Sequence, residues 1–243
     1  VGCRGAVSFV VGNYGYVGTG ETNSGKSSEF YRFDPVSETW LQIASITNGR
    51  TSSAAFAIDN YGYVGTGNTN FGSTNDFQRY DPATDSWQMM NNVGPTNRQE
   101  ASGFAVGGRG YILTGDNYSS GTNYKDVWEF DPTTGNWVQL ADFAGNARRY
   151  LSATALGSYA YVGLGTNGTN FKDFWRFDQT VSLIERNIDD LNILAFPNPT
   201  TEFVQFNIEW NKNVPTNEMS LIITSITGQV VYETSLAELD MIN

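Results

Sequence analysis

The sequence has no histidine, a single cysteine (Cys3), few basic residues and no run of about 18 apolar residues. Without histidine, the common zinc and copper sites and a nucleophilic triad with an imidazole base are excluded within these 243 residues. One cysteine excludes an internal disulfide. The 14 basic residues, against 25 acidic ones, form no patch, which argues against a nucleic-acid partner. The absence of a long apolar run argues against a membrane-spanning helix.

The chain begins at Val1, without a methionine or a signal peptide. We therefore expect a fragment, with any export signal upstream. The composition is that of a β-rich globular protein, since 14% of the residues are aromatic, 16% are charged and 26 are glycine. Many asparagine, serine and threonine residues add frequent turn signals.

One sequence pattern occurs four times. Its first element is a tyrosine, spaced by 47, 48 and 50 residues, at Tyr16, Tyr63, Tyr111 and Tyr161. Its second is an aspartate that follows an aromatic residue, spaced by 47, 50 and 47 residues, at Asp34, Asp81, Asp131 and Asp178. A period near 50 residues indicates an array of one supersecondary unit.

Each repeat contains four short apolar runs, which we call strands a to d. In the second repeat they are 53–58, 63–67, 77–80 and 86–90, joined by turn residues such as Pro82. The pattern predicts a four-stranded antiparallel meander. Strand c has bulky side chains on both faces, which indicates that each sheet is packed between two others, as in a β-propeller. Strand a is rich in alanine and serine, as expected near the central axis. We expect the strand-d tryptophans to lie between sheets: Trp40, Trp87 and Trp137.

The glycines before strand c, the tyrosine after strand a and the Asp-Pro…Trp spacing resemble the kelch repeat. The resemblance covers residues 1–179 and implies an all-β, partial kelch-type propeller with repeats of about 1–46, 47–94, 95–144 and 145–179. The usual glycine pair is replaced by variants such as Gly18-Thr19-Gly20, which we interpret as a different end to strand b. The fourth repeat lacks strand d, because Gln179 replaces proline and no tryptophan follows.

Residues 180–190 are polar and acidic and are predicted to form a linker. After them, Phe196-Pro197-Asn198-Pro199 and a strand–turn–strand pattern around Gly228 resemble the C-terminal sorting domain of the type IX secretion system of Bacteroidetes. Strands are expected at 204–210, 220–225 and 229–232. The resemblance implies that 191–243 is an incomplete sorting domain, the start of a small β-sandwich. It also implies that the secretion machinery is a partner, and that the protein is extracellular or on the outer-membrane surface of a Gram-negative bacterium. An ordinary appended β-sandwich is the alternative.

A phosphate-loop pattern occurs once, at Gly20, Gly25, Lys26 and Ser27. A nucleotide site needs this loop to begin a helix whose amides hold phosphate. Here strand c follows, and the other repeats lack the pattern. We therefore interpret it as a chance match, with no nucleotide bound. Calcium is the one metal left open, through Asp116 and Asn117, although no spaced array of oxygen ligands supports it.

Several charged residues recur in phase with the repeat. An acidic residue precedes each strand c, and we assign these four a structural role: Glu29, Asp76, Asp126 and Asp173. An arginine follows each strand d, at Arg50, Arg98 and Arg148, and Arg4 is interpreted as a fourth member. These arginines either bind ligand carboxylates or sugars, or bond loop carbonyls and fix one blade to the next. The sequence leaves both roles open, and we include Arg50, Arg98 and Arg148 among the candidate ligand-binding residues.

The b–c loops differ between repeats while the strands recur, an arrangement typical of recognition. We expect stacking by Phe71, Tyr118, Tyr124 and Phe171. We expect polar contacts from Asn70, Asn117 and Asn170. The predicted function is a secreted or surface module that binds a glycan or a protein, with no cofactor. The alternative is an extracellular carbohydrate-acting enzyme of kelch fold, mutarotase-like or oxidase-like, with part of its active site in blades outside this sequence.

Overall fold

The computed structural model describes residues 2–178 and four later strands, 191–196, 205–210, 220–224 and 230–235. The chain divides into two compact units, Val1–Gln179 and Thr180–Asn243. Every regular element among the described residues is a β-strand. The predicted linker at 180–190 lies outside the described residues.

The first unit contains 22 strands. The first repeat forms β1 (Val7–Val11), β2 (Tyr14–Gly18), β3 (Glu21–Thr22), β4 (Gly25–Lys26), β5 (Phe30–Asp34) and β6 (Thr39–Ile43). The second forms β7 (Arg50–Thr51), β8 (Ala54–Ile58), β9 (Tyr61–Gly65), β10 (Asn68–Thr69), β11 (Gly72–Ser73), β12 (Phe77–Asp81) and β13 (Ser86–Met90). The third forms β14 (Ser102–Val106), β15 (Arg109–Leu113), β16 (Asp116–Asn117), β17 (Thr122–Asn123), β18 (Val127–Asp131) and β19 (Asn136–Leu140). The fourth forms β20 (Ser152–Leu156), β21 (Tyr159–Gly163) and β22 (Phe174–Asp178).

The longer strands form antiparallel meanders, consistent with kelch propeller blades. The orders are β1-β2-β5-β6, β8-β9-β12-β13 and β14-β15-β18-β19, and the fourth sheet has three described strands, β20-β21-β22. Each order follows the chain, as the spacing of turn residues predicts. Strand a, the first of each sheet, lies beside strand a of the next, since β1 contacts β8, β8 contacts β14 and β14 contacts β20.

The second unit has two described strand pairs. They are β23 (Leu191–Phe196) with β24 (Gln205–Trp210), and β25 (Ser220–Thr224) with β26 (Val230–Ser235). Both pairs are antiparallel, and the second has an irregularity at Ile223 and Thr224. The strand at 191–196 was not predicted. The Pro-Asn-Pro part of the sorting motif and the Gly228 turn lie outside the described residues.

The core of the first unit consists of three aromatic clusters, one for each pair of neighbouring sheets. In each, a phenylalanine of strand a stacks on the tyrosine opposite it on strand b, with ring centroids 5.0, 5.4 and 5.1 Å apart: Phe9–Tyr16, Phe56–Tyr63 and Phe104–Tyr111. An aromatic residue of the next sheet packs on the same tyrosine: Tyr80, Phe130 and Phe177. The strand-c side chains therefore have bulk on both faces because each sheet lies between two others.

Two glycines are required by this close packing. A Cβ atom on Gly62 would clash with the Phe9 ring, and one on Gly110 would clash with the Phe56 ring. Each glycine directly precedes the repeated tyrosine in strand b, where the neighbouring sheet approaches closely. The glycine before the repeated tyrosine is thus part of the interface between sheets.

The strand-d tryptophans differ from one another. Trp87 and Trp137 are half-buried and pack on Phe30 and Phe77 of the preceding sheet, at 4.8 and 4.9 Å between ring centroids. Within the described part of the chain, Trp40 packs on Phe33 of its own sheet and is 57% exposed. The expectation of a wedge between sheets is met by Trp87 and Trp137. It is wrong for Trp40, because no sheet among the described residues lies on that side of the first repeat.

A backbone ladder joins the four sheets near the inner strands. It runs through four residues with left-handed backbones, φ between 55° and 66°, which we call the axial residues: Gly5, Ser52, Glu100 and Tyr150. Each later member donates its N–H to the carbonyl of the previous one, at 2.9, 2.8 and 3.0 Å. Because only backbone atoms form these bonds, the side chain at each axial position is not needed for the ladder.

Candidate functional site

The connections between strands b and c lie together at one end of the sheets. Three are short hairpins, β3–β4, β10–β11 and β16–β17, and the fourth is a loop closed by a bridge between Thr166 and Asn170. We call these four connections the rim hairpins. Each is paired through its base with the segment that enters strand a: Glu21 with Arg4, Asn68 with Thr51, Asp116 with Gln99, and Thr166 with Arg149. The b–c and d–a loops therefore share one face.

Two consecutive rim hairpins have an aromatic residue at the tip. Phe71 is 91% exposed and Tyr118 is 74% exposed. Asn70 is exposed beside Phe71, and Asn117 is half-exposed beside Tyr118. The first and fourth rim hairpins have polar residues and glycine at their tips, at 22–25 and 167–169. The structure therefore places four of the predicted ligand-binding residues on two neighbouring loops.

Local hydrogen bonds fix the shape of both aromatic tips. The Phe71 N–H donates to Thr69 Oγ1 at 3.1 Å, and Thr69 Oγ1 donates to the Gly72 carbonyl at 3.0 Å. In the next hairpin the Ser119 N–H donates to Asn117 Oδ1 at 3.0 Å. Asn117 Nδ2 donates to the Asn97 carbonyl at 3.3 Å. Such side-chain turns order a loop without a long strand pair.

The other predicted residues occupy the hairpin bases. Tyr124 and Phe171 are half-buried, and each ring lies against a buried guanidinium group, Arg98 at 4.8 Å and Arg148 at 4.0 Å from the ring centroid. One face of each ring is therefore already covered. Asn170 is exposed, and its backbone closes the fourth rim hairpin.

The three recurring arginines are fully buried, with 0% exposure. Each guanidinium group makes two hydrogen bonds to one carboxylate: Arg50 to Asp76, Arg98 to Asp126 and Arg148 to Asp173. Other donors of these groups reach backbone and hydroxyl oxygens, such as the Thr47 carbonyl for Arg50 at 2.9 Å, while Arg98 Nε has no hydrogen-bond partner within the described residues. This geometry favours the second of the two predicted roles, because no guanidinium surface is left for a ligand.

Each of these arginines also bonds a residue whose backbone is strained. Thr66, Thr114 and Leu164 have φ of 60°, 61° and 62°, a region that side chains rarely adopt. Their carbonyl oxygens accept hydrogen bonds from Arg50, Arg98 and Arg148 at 3.2, 3.1 and 2.8 Å. A strained residue persists where its surroundings fix it. At these three positions an arginine therefore supplies the support, whereas Thr19 has a similar φ of 61° without such a bond within the described residues.

Arg4 is not the fourth member of the arginine series. Its backbone pairs with Glu21, just as Thr51 pairs with Asn68, so Arg4 is equivalent to Thr51. The position equivalent to Arg50 is Cys3. The Arg4 side chain is exposed and forms an ion pair with Glu21 at 2.7 Å. The sequence alignment was one residue out of register because arginine occurs by chance at the next position.

The paired carboxylates have shifted pKa values. Hydrogen bonding and charge from Arg148 lower the pKa of Asp173 below its usual range. Burial alone would raise the pKa of Asp126, but hydrogen bonds and charge from Arg98 outweigh it, and the pKa of Asp126 is lowered. Both carboxylates are therefore held in the charged form that the buried guanidinium requires.

The phosphate-loop match forms a hairpin. Gly25 and Lys26 lie in β4, which pairs with β3, and no helix begins there. Lys26 Nζ donates to Asn68 Oδ1 at 2.5 Å and to the Thr69 carbonyl at 2.6 Å. The lysine thus connects the first two rim hairpins. The interpretation of the motif as a chance match agrees with this geometry.

Two of the oxygen atoms proposed for calcium have other partners. Asp116 Oδ2 accepts a hydrogen bond from Arg149 Nη1 at 3.0 Å, and Asn117 Oδ1 accepts one from Ser119. Within the described part of the chain, no group of three or more histidine, cysteine, aspartate or glutamate residues could hold a metal ion.

The sequence analysis missed a charged cluster on the same face, which we call the inner-rim cluster: Glu100, Asp116, Arg149 and Tyr150. Tyr150 donates its hydroxyl to Glu100 Oε1 at 2.5 Å. Arg149 lies 3.3 Å from Glu100 Oε2 and 3.0 Å from Asp116 Oδ2. One signal was available: the two residues after each recurring arginine vary, from Thr51-Ser52 to Gln99-Glu100 and Arg149-Tyr150.

Burial changes the titration of this cluster. Desolvation, reinforced by the nearby charge of Asp116, raises the pKa of Glu100 above its usual range, against the opposing effects of Tyr150 and Arg149. Desolvation and the hydrogen bond to Glu100 raise the pKa of Tyr150 to about 12. Glu100 is therefore a carboxyl that takes up a proton at a higher pH than an exposed glutamate.

A cavity of about 260 Å³ lies between the inner strands. Its wall consists mainly of small side chains from strand a of each sheet, including Ser53, Ala55, Ser102 and Ser152. The small residues of strand a are thus on the inner surface, as the sequence predicts.

Two family models match the chain. Residues 5–183 match the model described as KLHDC2/KLHL20/DRC7 Kelch-repeats domain. Residues 194–242 match the model described as Secretion system C-terminal sorting domain. The order of the two matches is the order that the sequence analysis predicts, and the second indicates a secreted protein. No helix among the described residues is long and apolar enough to cross a membrane.

Comparison with curated proteins gives no match. Among solved structures, the chain resembles the structure of YjhT, with a TM-score of 0.64 at 17% sequence identity. The match covers 73% of this chain and 63% of the YjhT chain. At this identity the likeness concerns the fold alone, and this chain spans less than two thirds of that structure.

Proposed function

Because the chain belongs to the kelch-repeat family over residues 5–183, we propose that it is a secreted propeller module whose rim hairpins bind a glycan. The observation that carries the proposal is the pair of exposed aromatic tips on consecutive rim hairpins, Phe71 and Tyr118. Flat aromatic rings stack on the apolar faces of sugar rings, while neighbouring amides and hydroxyls bond the sugar hydroxyls. Asn70, Asn117 and Ser119 lie beside the two rings in sequence.

The fixed conformation of these hairpins supports the proposal. The turn bonds at Thr69 and Asn117 fix the tips, and the buried pairs Arg50–Asp76 and Arg98–Asp126 fix the bases. A loop that is ordered before binding loses less conformational entropy when the ligand arrives. Exposed aromatic side chains on ordered loops are a favourable arrangement for recognition.

The half-buried aromatic residues have a supporting part in this proposal. Tyr124 and Phe171 offer one ring face each, since the other lies on Arg98 or Arg148. Asn170 adds a polar group at the fourth rim hairpin. Arg50, Arg98 and Arg148 hold the bases of the hairpins and, being fully buried, make no contact with the ligand.

We also propose how this segment fits the whole protein. Residues 1–179 are part of a kelch propeller, 180–190 connect it to a type IX sorting domain at 191–243, and the protein is extracellular or on the outer-membrane surface. The exposure of Trp40 (57%) and Phe174 (65%) supports further blades on both outer faces. Trp87 and Phe30 show the contact that such a blade makes.

A glycan array tests the binding proposal. The propeller should bind a restricted set of glycans, and a Phe71→Ala/Tyr118→Ala double variant should lose on the order of tenfold or more in affinity for them. Phe71→Tyr and Tyr118→Phe, which keep the rings, should bind as before. Val36→Ala is the control, because Val36 is 91% exposed in a c–d turn away from the rim hairpins.

Two results contradict the proposal. Unchanged affinity of the double variant for every bound glycan removes the aromatic tips from the site. The absence of any bound glycan, combined with capture of a protein ligand that needs Phe71 and Tyr118, shows that the module binds protein instead.

A further inference from the structure

The inner-rim cluster departs from the repeat. At the axial positions the first two sheets have Gly5 and Ser52, whereas the third and fourth have Glu100 and Tyr150. All four make the same backbone ladder, so the fold does not require a carboxyl or a phenol there. The base of the third rim hairpin adds Asp116, and Arg149 lies between the two carboxyls. Two acidic groups thus meet at one place on the inner rim.

The cluster has more negative charge than its neighbours neutralise. Among the described residues, Arg149 is the one cation that forms ion pairs with both Glu100 and Asp116. The nearby guanidinium groups of Arg98 and Arg148 are already paired with Asp126 and Asp173. With both carboxyls ionised, the cluster therefore has an excess of one negative charge.

One acceptor in the cluster is also unused. Asp116 is 1% exposed, and its Oδ1 atom has no hydrogen-bond partner within the described residues. A buried charged oxygen without a donor is costly, and a donor supplied from outside removes that cost. Hydrogen bonds from a cation to a carboxylate are among the strong ones. Charge and hydrogen bonding therefore favour the same kind of group, a positively charged donor.

The cluster lies close to the proposed glycan-binding surface. Asp116 begins β16, and Tyr118 follows that strand by one residue at the tip of the same hairpin. At about 3.3 Å per residue the two positions are roughly 7 Å apart along the chain, comparable to the width of a sugar ring. A sugar stacked on Tyr118 can thus place a substituent over the inner rim. Tyr150 is the most exposed member of the cluster, at 58%, and Arg149 and Tyr150 lie over the Glu100 side chain, which is 10% exposed.

From these observations we propose that the inner-rim cluster binds the ammonium group of an amine-bearing sugar stacked on Tyr118. This inference rests on the proposed function and names its ligand class. Glu100 and Asp116 supply the negative charge, and the Tyr150 hydroxyl orients Glu100. Arg149 competes with the ligand for both carboxyls. Because burial raises the pKa of Glu100, binding weakens as the pH falls and this carboxyl takes up a proton.

Two matched probes test the inference by isothermal titration. One is a short oligomer of β-1,4-linked glucosamine, and the other is the same oligomer fully N-acetylated. The titration is run at a pH below the pKa of the sugar amines, so that the free amines carry a proton. We expect the amine-bearing oligomer to bind on the order of tenfold more tightly than the acetylated one.

Variants then assign the preference to the cluster. Glu100→Gln and Asp116→Asn should remove the preference for the amine. Arg149→Gln should increase it, since the competing cation is gone, whereas a purely structural arginine would give a loss. Glu21→Gln is the matched control, because Glu21 occupies the position of Asp116 in the first rim hairpin. Thermal unfolding of each variant separates lost binding from lost folding.

The outcomes distinguish this inference from the proposed function. Equal affinity for the two oligomers, tighter binding of the acetylated one, or an unchanged preference in Glu100→Gln and Asp116→Asn overturns the inference. If neither oligomer binds but the array identifies other glycans that need Tyr118, the inference fails and the proposed function stands. If neither oligomer binds and the array is empty, both fail.

Discussion

The indole N–H of Trp87 donates a hydrogen bond of 2.9 Å to the carbonyl oxygen of Ala44, which belongs to the preceding repeat. Trp137 makes the equivalent bond of 3.1 Å to Asn91. Each tryptophan thus joins two sheets by a polar contact at its edge and an aromatic contact on its ring. The recurring tryptophan specifies the spacing between neighbouring sheets as well as burying apolar surface.

Removal of this contact should destabilise the propeller unit. We expect Trp87→Ala to lower the free energy of unfolding by about 2–3 kcal/mol, since the ring is half-buried and also loses its bond to Ala44. Trp40→Ala is the comparison, with an expected loss under about 1 kcal/mol, because that ring is mostly exposed. Urea unfolding followed by circular dichroism measures both. Equal losses would show that Trp87 does not hold two sheets together.

Substitution of a buried arginine should lower the free energy of unfolding more than substitution of an exposed charged residue. Arg98→Met removes the two hydrogen bonds from Arg98 to Asp126, which keeps the one from Trp128 Nε1, and it removes the Arg98 donor to the Thr114 carbonyl. We expect a loss of about 3–5 kcal/mol, the range for removing one partner of a buried pair. Arg4→Met, which breaks the exposed pair with Glu21, should have no measurable effect. A similar unfolding midpoint for Arg98→Met and the wild type would show that the Arg98–Asp126 pair does not hold the third rim hairpin.

Acid should weaken the ion pairs of the buried arginines. Arg148 lowers the pKa of Asp173 in the folded protein, so the pair contributes stability above the unfolded aspartate pKa of about 3.9 and loses it as the pH falls below that value. Asp173→Asn should be less stable than the wild type near neutral pH and should respond less to pH between about 4 and 2. Asp59→Asn, in an exposed turn, is the control. The readout is the melting temperature across that range, and parallel curves for Asp173→Asn and wild type would contradict the assignment.

The phosphate-loop match yields a further prediction. The backbone at Lys26 is a strand and its Nζ atom is bonded to the second rim hairpin. Adding ATP with Mg²⁺ should therefore leave the melting temperature unchanged, in the wild type and in Lys26→Ala. A rise in the wild type that Lys26→Ala abolishes would mean that the loop binds phosphate after all.

The sequence predicted the parts of the fold that repeat. Strand order, turns and inward-facing aromatic rings recur in every copy, so the period was sufficient to place them. The pairing of Arg98 with Asp126 was missed although both series had been identified, because it joins residues 28 positions apart in one repeat and depends on how the segment that enters strand a packs on the b–c connection. A repeat pattern also does not show which copies have a neighbour among the described residues, and Trp40 has none on its outer side.

The candidate site could be predicted only in part. Phe71 and Tyr118 were identified because they interrupt polar loops, and the structure shows both exposed. Glu100 and Tyr150 were missed because they are ordinary residues in a variable stretch. Their proximity arises from the ladder, which brings equivalent positions of consecutive repeats together. The register error at Arg4 has the same origin, since only backbone pairing distinguishes it from its neighbour.

The axial ladder also has a consequence for how such proteins diversify. Since its bonds use main-chain atoms alone, the blades that already have a side chain at the axial position can exchange it while the ladder is kept. At Gly5 the exchange is not open, because a Cβ atom there would clash with Thr51 Oγ1. Replacing Ser52 by a charged group would be the direct route to a new specificity from an unchanged framework.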